Sequence, residues 1–214
     1  MGSDGLITAG SLEVVSQIMR PGRVKIFLLP GGAMPKYATP DAIGADVRVR
    51  AVVSATDMEP NGVFRKTLYD FASPPTDPLM IPRISGLPNP DQPEAGLQYY
   101  YNLQPGESVI MGIGFATEMP EGMFYWIAPR SGLASKYRIQ VANAPGTVDP
   151  GYRGEACVIV VNHGINPFAI HRGLRIAQII FQWAAFPELE QVAEHSELST
   201  TERGSGGLGS TGLR

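Results

Sequence analysis

The sequence predicts an all-β fold of short strands, which we expect to form a jelly roll or a closed β-barrel. The chain of 214 residues contains 25 glycines and 19 prolines, so it must turn often. Charged residues make up only 17% of it, which is fewer than exposed helices usually carry. Short apolar runs rich in β-branched residues recur between the turn-forming stretches, as they do in barrels and sandwiches.

Each strand is predicted where an apolar run lies between stretches rich in Gly, Pro or Asn. The predicted strands are residues 24–29, 47–53, 99–101, 108–115, 122–128, 139–142, 156–161, 168–171 and 176–181. A short helix is predicted after residue 129, and another over 11–19, where Ser11 is a possible N-cap and a Pro-Gly pair follows Arg20.

A chain of this length predicts one well-buried core with appended segments. We interpret 1–22 as an N-terminal extension, 23–202 as the β-barrel domain and 203–214 as a mobile Gly-rich arm. Residues 54–97 hold eight of the 19 prolines and show no sustained periodicity. This segment is therefore interpreted as a long insertion loop held by a few apolar anchors, in preference to a separate module.

Charge and composition exclude several classes of function. A formal net charge of −3 argues against direct binding of nucleic acid, which needs a basic surface. Cys157 is the only cysteine, which predicts a reducing, cytoplasmic compartment and a buried structural thiol. No apolar run approaches the ~20 residues that span a membrane, and 1–22 lack the order of a signal peptide. Three scattered histidines, His163, His171 and His195, make a zinc site improbable.

The stretch 141–155 combines an amide, an acid and an aromatic ring around two Pro-Gly pairs. Strand-like runs flank it on both sides. We expect Asn143, Asp149 and Tyr152 to point into one cavity, because the Pro-Gly pairs bend the chain between them. Taken alone, the segment could equally be a plain hairpin with a solvated aspartate.

Four further segments surround this hairpin in a fixed order. With 141–155, the segments 44–46, 129–134, 173–178 and 203–212 resemble the five motifs of the trimeric deoxyuridine triphosphatases (dUTPases). The resemblance covers 23–50 and 98–212. It implies a dUTPase-like jelly roll, a homotrimer that exchanges its C-terminal arms, and Mg²⁺-assisted hydrolysis of dUTP to dUMP and pyrophosphate, which limits uracil incorporation into DNA.

The resemblance also assigns roles at the phosphate end of the substrate. It implies that Asp149 activates the attacking water and that Asp46 holds waters coordinated to Mg²⁺. It gives Arg130, Ser131 and Gly132 to the triphosphate, with Gln178 as a further polar contact. In isolation these polar residues also suit turn capping, a solvated strand edge or an ordinary helix N-cap.

Selection of the nucleoside falls to the hairpin in this reading. Asn143 and the backbone of Gly146, Thr147 and Val148 would recognise the uracil edge, while Tyr152 would stack on deoxyribose and exclude a 2′-hydroxyl. The arm residues Arg203, Leu208, Gly209, Ser210 and Thr211 would close over the γ-phosphate of a neighbouring subunit, although their composition also suits a Gly/Ser linker.

Two positions depart from the family pattern. Leu174 stands where an acidic residue is common, and Leu208 stands where an aromatic residue is common. Two other functions stay open at this point: a dCTP deaminase-like enzyme, and a trimeric scaffold that binds an unknown protein partner through 54–97.

Overall fold

The structure is a computed structural model that describes residues 22–92 and 96–206. The predicted helix over 11–19 lies outside the described residues, and so do Leu208, Gly209, Ser210 and Thr211 of the predicted arm. The chain divides into two compact units, the first ending at Ala184 and the second beginning at Ala185. The domain boundaries drawn from the sequence remain predictions.

The all-β prediction is confirmed, because the described residues form fifteen strands and only one α-helix. The strands are β1 Lys25–Leu28, β2 Lys36–Tyr37, β3 Ala45–Arg48, β4 Ala51–Met58, β5 Arg65–Tyr69, β6 Ile84–Pro88, β7 Leu97–Leu103, β8 Ser108–Gly112, β9 Phe115–Glu118, β10 Met123–Pro129, β11 Ile139–Val141, β12 Gly146–Val148, β13 Cys157–Asn162, β14 Phe168–Ile170 and β15 Arg175–Trp183. Helix α1 spans Ser131–Tyr137, and 3₁₀ turns lie at Ile81–Arg83 and His195–Glu197. Within the described residues, no helix has the length and apolar character needed to cross a membrane.

Four antiparallel sheets make up the first unit. Two have five strands each, in the orders β12-β10-β15-β3-β2 and β11-β13-β8-β4-β5. The others are the three-stranded β14-β7-β6 and the pair β1-β9. Inward-facing side chains build a single core, whose largest fully buried members include Tyr125, Phe115, Leu103, Met111 and Ile113. Each such burial contributes about 1.5–3 kcal/mol, so this core is the main source of stability.

Two predicted strands are each broken into two. The run 47–53 divides between β3 and β4, which belong to different five-stranded sheets. The run 108–115 divides between β8 in a five-stranded sheet and β9 in the two-stranded sheet, with Gly114 at a φ of +78° in the break. Hydrophobic alternation indicates which side chains are buried, but it does not show where the chain passes from one sheet to the next.

The described part of 54–97 contains more regular structure than the insertion loop we expected. It holds most of β4, all of β5 and β6, and the 3₁₀ turn at Ile81–Arg83. Tyr69 and Phe71 are buried in the main core, where their rings pack edge to face at a centroid distance of 5.0 Å. Its strands were missed because a high proline content hides short β pairs at sheet edges.

Candidate functional site

Strand register brings the predicted phosphate-binding residues together at one end of the first five-stranded sheet. Gln178 on β15 lies opposite Ala128 on β10 and opposite Asp46 on β3. Its amide donates to the Pro129 carbonyl at 3.0 Å. Gly44 makes this placement possible, because a Cβ there would lie 2.0 Å from the Gln178 Oε1 atom. The end of β10 thus delivers Arg130 next to Asp46.

Asp46 is bound by two arginines. Arg130 Nε donates to Asp46 Oδ1 at 2.7 Å, and Arg175 Nη1 donates to Oδ2 at 3.0 Å. The Asp46 side chain is only 14% exposed, whereas that of Arg175 is 48% exposed. Two cations against one carboxylate leave a positive excess, which favours a bound anion.

These groups line a cavity of about 440 Å³, which we call the arginine cavity. Its polar lining consists of Asp46, Arg130, Ser131, Arg175 and Gln178, and Gly132 also lines it. The remainder is formed by apolar and glycine residues of the β2–β3 connection, including Ile43 and Gly44, and by Ile180 on β15. The structure therefore brings together every residue that the resemblance gave to the triphosphate within the first unit.

Helix α1 supplies the exposed backbone at this cavity. The N-cap is Arg130, in extended conformation, so Ser131 is the first helical residue and not the cap that we considered. Ser131 and Gly132 are exposed, while Leu133 anchors the helix in the core. The N–H groups of a first helical turn lack intrahelical acceptors and favour anionic ligands.

The predicted hairpin is present, with its flanking strands in one five-stranded sheet and its loop strand β12 in the other. Strands β11 and β13 pair with each other, with Val141 opposite Val160. Between them, β12 pairs with β10 of the other sheet, placing Thr147 opposite Trp126. The turn before β12 contains a cis peptide bond between Ala144 and Pro145. The loop is thus fixed at two places and holds its side chains over β13.

A second cavity of about 230 Å³ lies at this loop, and we call it the hairpin cavity. The predicted catalytic residue Asp149 lines it, together with four residues predicted to bind substrate: Asn143, Thr147, Val148 and Tyr152. Its other lining residues are Arg65, Ile110, Ala156, Cys157 and Ile159. Gly146 is buried beside the Asn143 amide, where it completes the turn without lining the cavity.

Tyr152 is held by its hydroxyl group and presents its ring to the cavity. The hydroxyl donates to the Glu155 carbonyl at 2.9 Å. Gly154 allows this contact, because a Cβ there would lie 2.5 Å from the tyrosine oxygen. Burial raises the pKa of Tyr152, so the phenol stays protonated and keeps donating.

Cys157 differs from the enclosed structural thiol that we expected, because it is only partly buried and lines the hairpin cavity. Burial, followed by the neighbouring Glu155 carboxylate, raises the pKa of the thiol to about 12. It is therefore protonated at neutral pH and unsuited to act as a nucleophile.

Arg203 lies in the second unit, where it is exposed and its Nε atom donates to the Gly206 carbonyl at 3.0 Å. Its predicted contact with a γ-phosphate remains a prediction.

Two arginines of these cavities were missed by sequence reasoning. Arg175 lies inside the fourth motif-like segment, three residues before Gln178, so its position in that segment was an available signal. Arg65 comes from 54–97, and nothing in its sequence surroundings marks it as part of a cavity.

Comparisons with known structures agree with this fold. The structure resembles that of the dUTPase of Staphylococcus bacteriophage 80alpha with dUpNHpp, with a TM-score of 0.61 and 20% identity over 89% of this chain and 99% of that one. A dUTPase from phage phi11 of S. aureus, described with a structural Mg(II) ion, gives a TM-score of 0.54 at 18% identity, covering 80% of this chain and 97% of that one. These likenesses place the fold in the class of the all-β dUTPases.

Sequence comparison is more specific. The family profile named dUTPase matches residues 94–212, which is more than half of the chain. The deoxyuridine 5′-triphosphate nucleotidohydrolase of Gloeothece citriformis is 51% identical over 111 residues, covering 52% of this chain and 74% of that protein. The enzyme of the same name from Rhizobium rhizogenes is 50% identical over 111 residues, covering 52% of this chain and 69% of that protein. The chain belongs to the dUTPase family.

Proposed function

We propose that the protein hydrolyses dUTP to dUMP and pyrophosphate and so limits uracil incorporation into DNA. The observation that carries this proposal is the hairpin cavity, in which Asp149 lies beside Asn143, Thr147 and Tyr152 within the segment matched by the dUTPase profile. The relatives that are about half identical carry the name of this activity.

Asp149 activates the water in this mechanism. Its carboxylate is exposed at the cavity and is adjacent to the β12 backbone, so it can accept a hydrogen bond from a water beside a bound nucleotide. As the water attacks, its proton passes to Asp149 and the bond between the α- and β-phosphates breaks. The carboxylate lowers the barrier because the oxygen attacks as a hydroxide-like nucleophile.

Nucleoside selection follows from the same cavity. The Asn143 amide both donates and accepts, as the edge of a pyrimidine requires. The backbone of Gly146, Thr147 and Val148 supplies further hydrogen-bonding groups, and the fixed ring of Tyr152 covers the sugar. A rigid ring at this position excludes a 2′-hydroxyl by shape.

The triphosphate binds in the arginine cavity in this proposal. Arg130, Arg175 and Gln178 present N–H donors there, and Ser131 and Gly132 present backbone N–H groups. The hairpin cavity and the arginine cavity share no lining residue among those described. A homotrimer in which one subunit supplies the hairpin and a neighbour supplies the arginines would join them into one site.

The residues of the arginine cavity fit a metal that arrives with the substrate. Among residues 22–92 and 96–206, no three His, Cys, Asp or Glu side chains form a metal-binding cluster. Both oxygens of Asp46 already accept hydrogen bonds from guanidinium groups. Asp46 is therefore suited to contact a metal ion through a bound water and not as a direct ligand. Mg²⁺ commonly binds in this way, using substrate phosphates, waters and few carboxylates. When bound, it would offset phosphate charge.

The first test measures pyrophosphate release from dUTP, dTTP, dCTP and UTP, with and without Mg²⁺. We expect Mg²⁺-dependent release from dUTP above the other three substrates. Absence of release from dUTP would refute the proposal, and ammonia release from dCTP would favour a deaminase instead.

Replacing Arg130 with lysine should lower kcat/KM for dUTP by about 10- to 100-fold. Lysine keeps the charge but lacks the planar guanidinium group, which contacts both oxygens of Asp46 and would bind a phosphate at the same time. Steady-state kinetics measure this change. The matched control is Arg138→Lys, an exposed residue after α1 and outside the arginine cavity, which should leave kcat/KM unchanged. Equal kinetics for both variants would contradict the role of Arg130.

Leu208, Gly209, Ser210 and Thr211 form a closing arm with Arg203 in this proposal. Leu208→Phe should tighten dUTP binding, because a phenyl ring over the base adds stacking of about 1–3 kcal/mol. Measuring kcat and KM for both proteins tests the arm. A marked loss of kcat/KM would show that the arm closes in another pose.

A further inference from the structure

Arg65 is the only cationic side chain that lines the hairpin cavity among the described residues. It is the first residue of β5 and belongs to the predicted insertion, outside all five motif-like segments. The remaining polar lining side chains, Asn143, Thr147, Asp149 and Tyr152, all come from the hairpin. Segment 54–97 therefore contributes directly to the cavity that the proposed function assigns to the nucleoside.

Irregular pairing of β4 with β5 directs Arg65 to this position. Val53 lies opposite Thr67 and Met58 lies opposite Arg65, so four residues of β4 intervene where β5 has only Lys66. The Ser54 hydroxyl accepts from the backbone N–H of Asp57 at 2.9 Å and stabilises the extra residues as a turn. Bulges of this kind re-aim side chains and are frequent next to active sites.

The same bulge holds the guanidinium in place. Arg65 Nη1 donates to the carbonyl of Ala55, which lies within the extra residues of β4. None of the ion pairs among the described residues joins Arg65 to Asp149, so its other N–H donors remain available to a ligand. Burial raises the pKa values of Tyr152 and Cys157, and the positive charge of Arg65 partly opposes both shifts. This effect is expected for a cation close to both side chains.

The chemistry of the two cavities indicates which part of a nucleotide Arg65 contacts. Arg130 and Arg175 already provide positive charge for the phosphates in the arginine cavity. The hairpin cavity has an apolar wall that includes Ile110 and Ile159, which suits the face of a planar base. Uracil offers two carbonyl acceptors at its edge, whereas cytosine replaces one of them with an amino donor that a guanidinium would repel.

We propose that Arg65 is a specificity-determining residue that donates a hydrogen bond to the carbonyl oxygen that uracil carries where cytosine has its amino group. This inference rests on the proposed function, because it takes the hairpin cavity as the site of the nucleoside. It also gives 54–97 a role in substrate choice in addition to its place in the core.

The test compares Arg65→Met, which keeps most of the aliphatic stem, with Arg65→Lys, which keeps the charge. We expect Arg65→Met to raise KM for dUTP about tenfold with kcat within about twofold, because a uniform binding contact is lost. Its Kd for deoxyuridine and for dUMP should rise by the same factor, and its preference for dUTP over dCTP should narrow. Arg65→Lys should lie between this variant and the unaltered protein.

The matched control is Lys66→Met, because Lys66 is exposed, adjacent on β5 and absent from the cavity lining. Thermal unfolding of every variant checks that the fold is kept. An unchanged KM in Arg65→Met would overturn the inference, and so would a loss confined to dUMP, which would show contact with phosphate. If the unaltered protein fails to hydrolyse dUTP, the proposed function itself is wrong. If the unaltered protein hydrolyses dUTP and Arg65→Met has the same KM, only the role of Arg65 is wrong.

Discussion

Asp149→Asn should lower turnover of dUTP by about 10²- to 10⁴-fold while leaving nucleotide binding nearly intact. Asparagine has the size of aspartate and can still hydrogen-bond a water, but it cannot accept the proton that the water must lose. Because Asp149 is exposed at the hairpin cavity, the exchange should leave the core unaffected. Pyrophosphate release measures turnover, and calorimetric titration with dUMP measures binding.

The matched control is Asp91→Asn, which exchanges the same groups at an exposed position that lines neither cavity. Its turnover should equal that of the unaltered protein. Turnover within about threefold of normal in Asp149→Asn would show that another group activates the water. Loss of dUMP binding would show instead that Asp149 positions the nucleotide.

Local sequence predicted most of the strands but made no prediction of their partners. The runs around β10, β13 and β15 stand out because each is apolar and ends at turn-forming residues. The single strand expected over 47–53 is divided because Val49 and Arg50 carry the chain between sheets. Strand partners depend on contacts between distant residues, which hydrophobic alternation within one run does not encode.

The candidate site shows the same limit. The resemblance to the dUTPase motifs predicted that Asp46, Arg130 and Gln178 lie at one site. The register of β3, β10 and β15 places them side by side. Arg65 was missed because its location depends on a bulge that forms only when β4 pairs with β5. Cys157 was expected inside the core because its strand is apolar, yet it lies under a loop that leaves it partly open.

Arg50 and Glu155 form a buried ion pair that connects 54–97 to the base of the hairpin. Arg50 Nε and Nη2 each donate to a Glu155 carboxylate oxygen at 2.7 Å, and Gly114 N–H donates to Oε1 at 2.8 Å. The Arg50 guanidinium also contacts the Thr67 hydroxyl on β5 at 3.3 Å. The Glu155 side chain is fully buried, and its backbone carbonyl accepts from Tyr152. The pair therefore supports both the core and the cavity.

Arg50→Met should lower the free energy of unfolding by about 3–5 kcal/mol, because it leaves the buried Glu155 carboxylate without its cation. The Gly114 N–H would be the one remaining hydrogen-bond donor to that carboxylate among the described residues. Urea denaturation measures the loss. The double variant Arg50→Met with Glu155→Leu should recover much of it, since replacing both partners of a buried pair with apolar residues is often neutral or stabilising.

The exposed pair of Lys25 with Glu118 provides the control, and Lys25→Met should leave the urea midpoint unchanged within error. A loss below about 1 kcal/mol in Arg50→Met, or a double variant no more stable than the single one, would show that this pair does not hold the hairpin to the core.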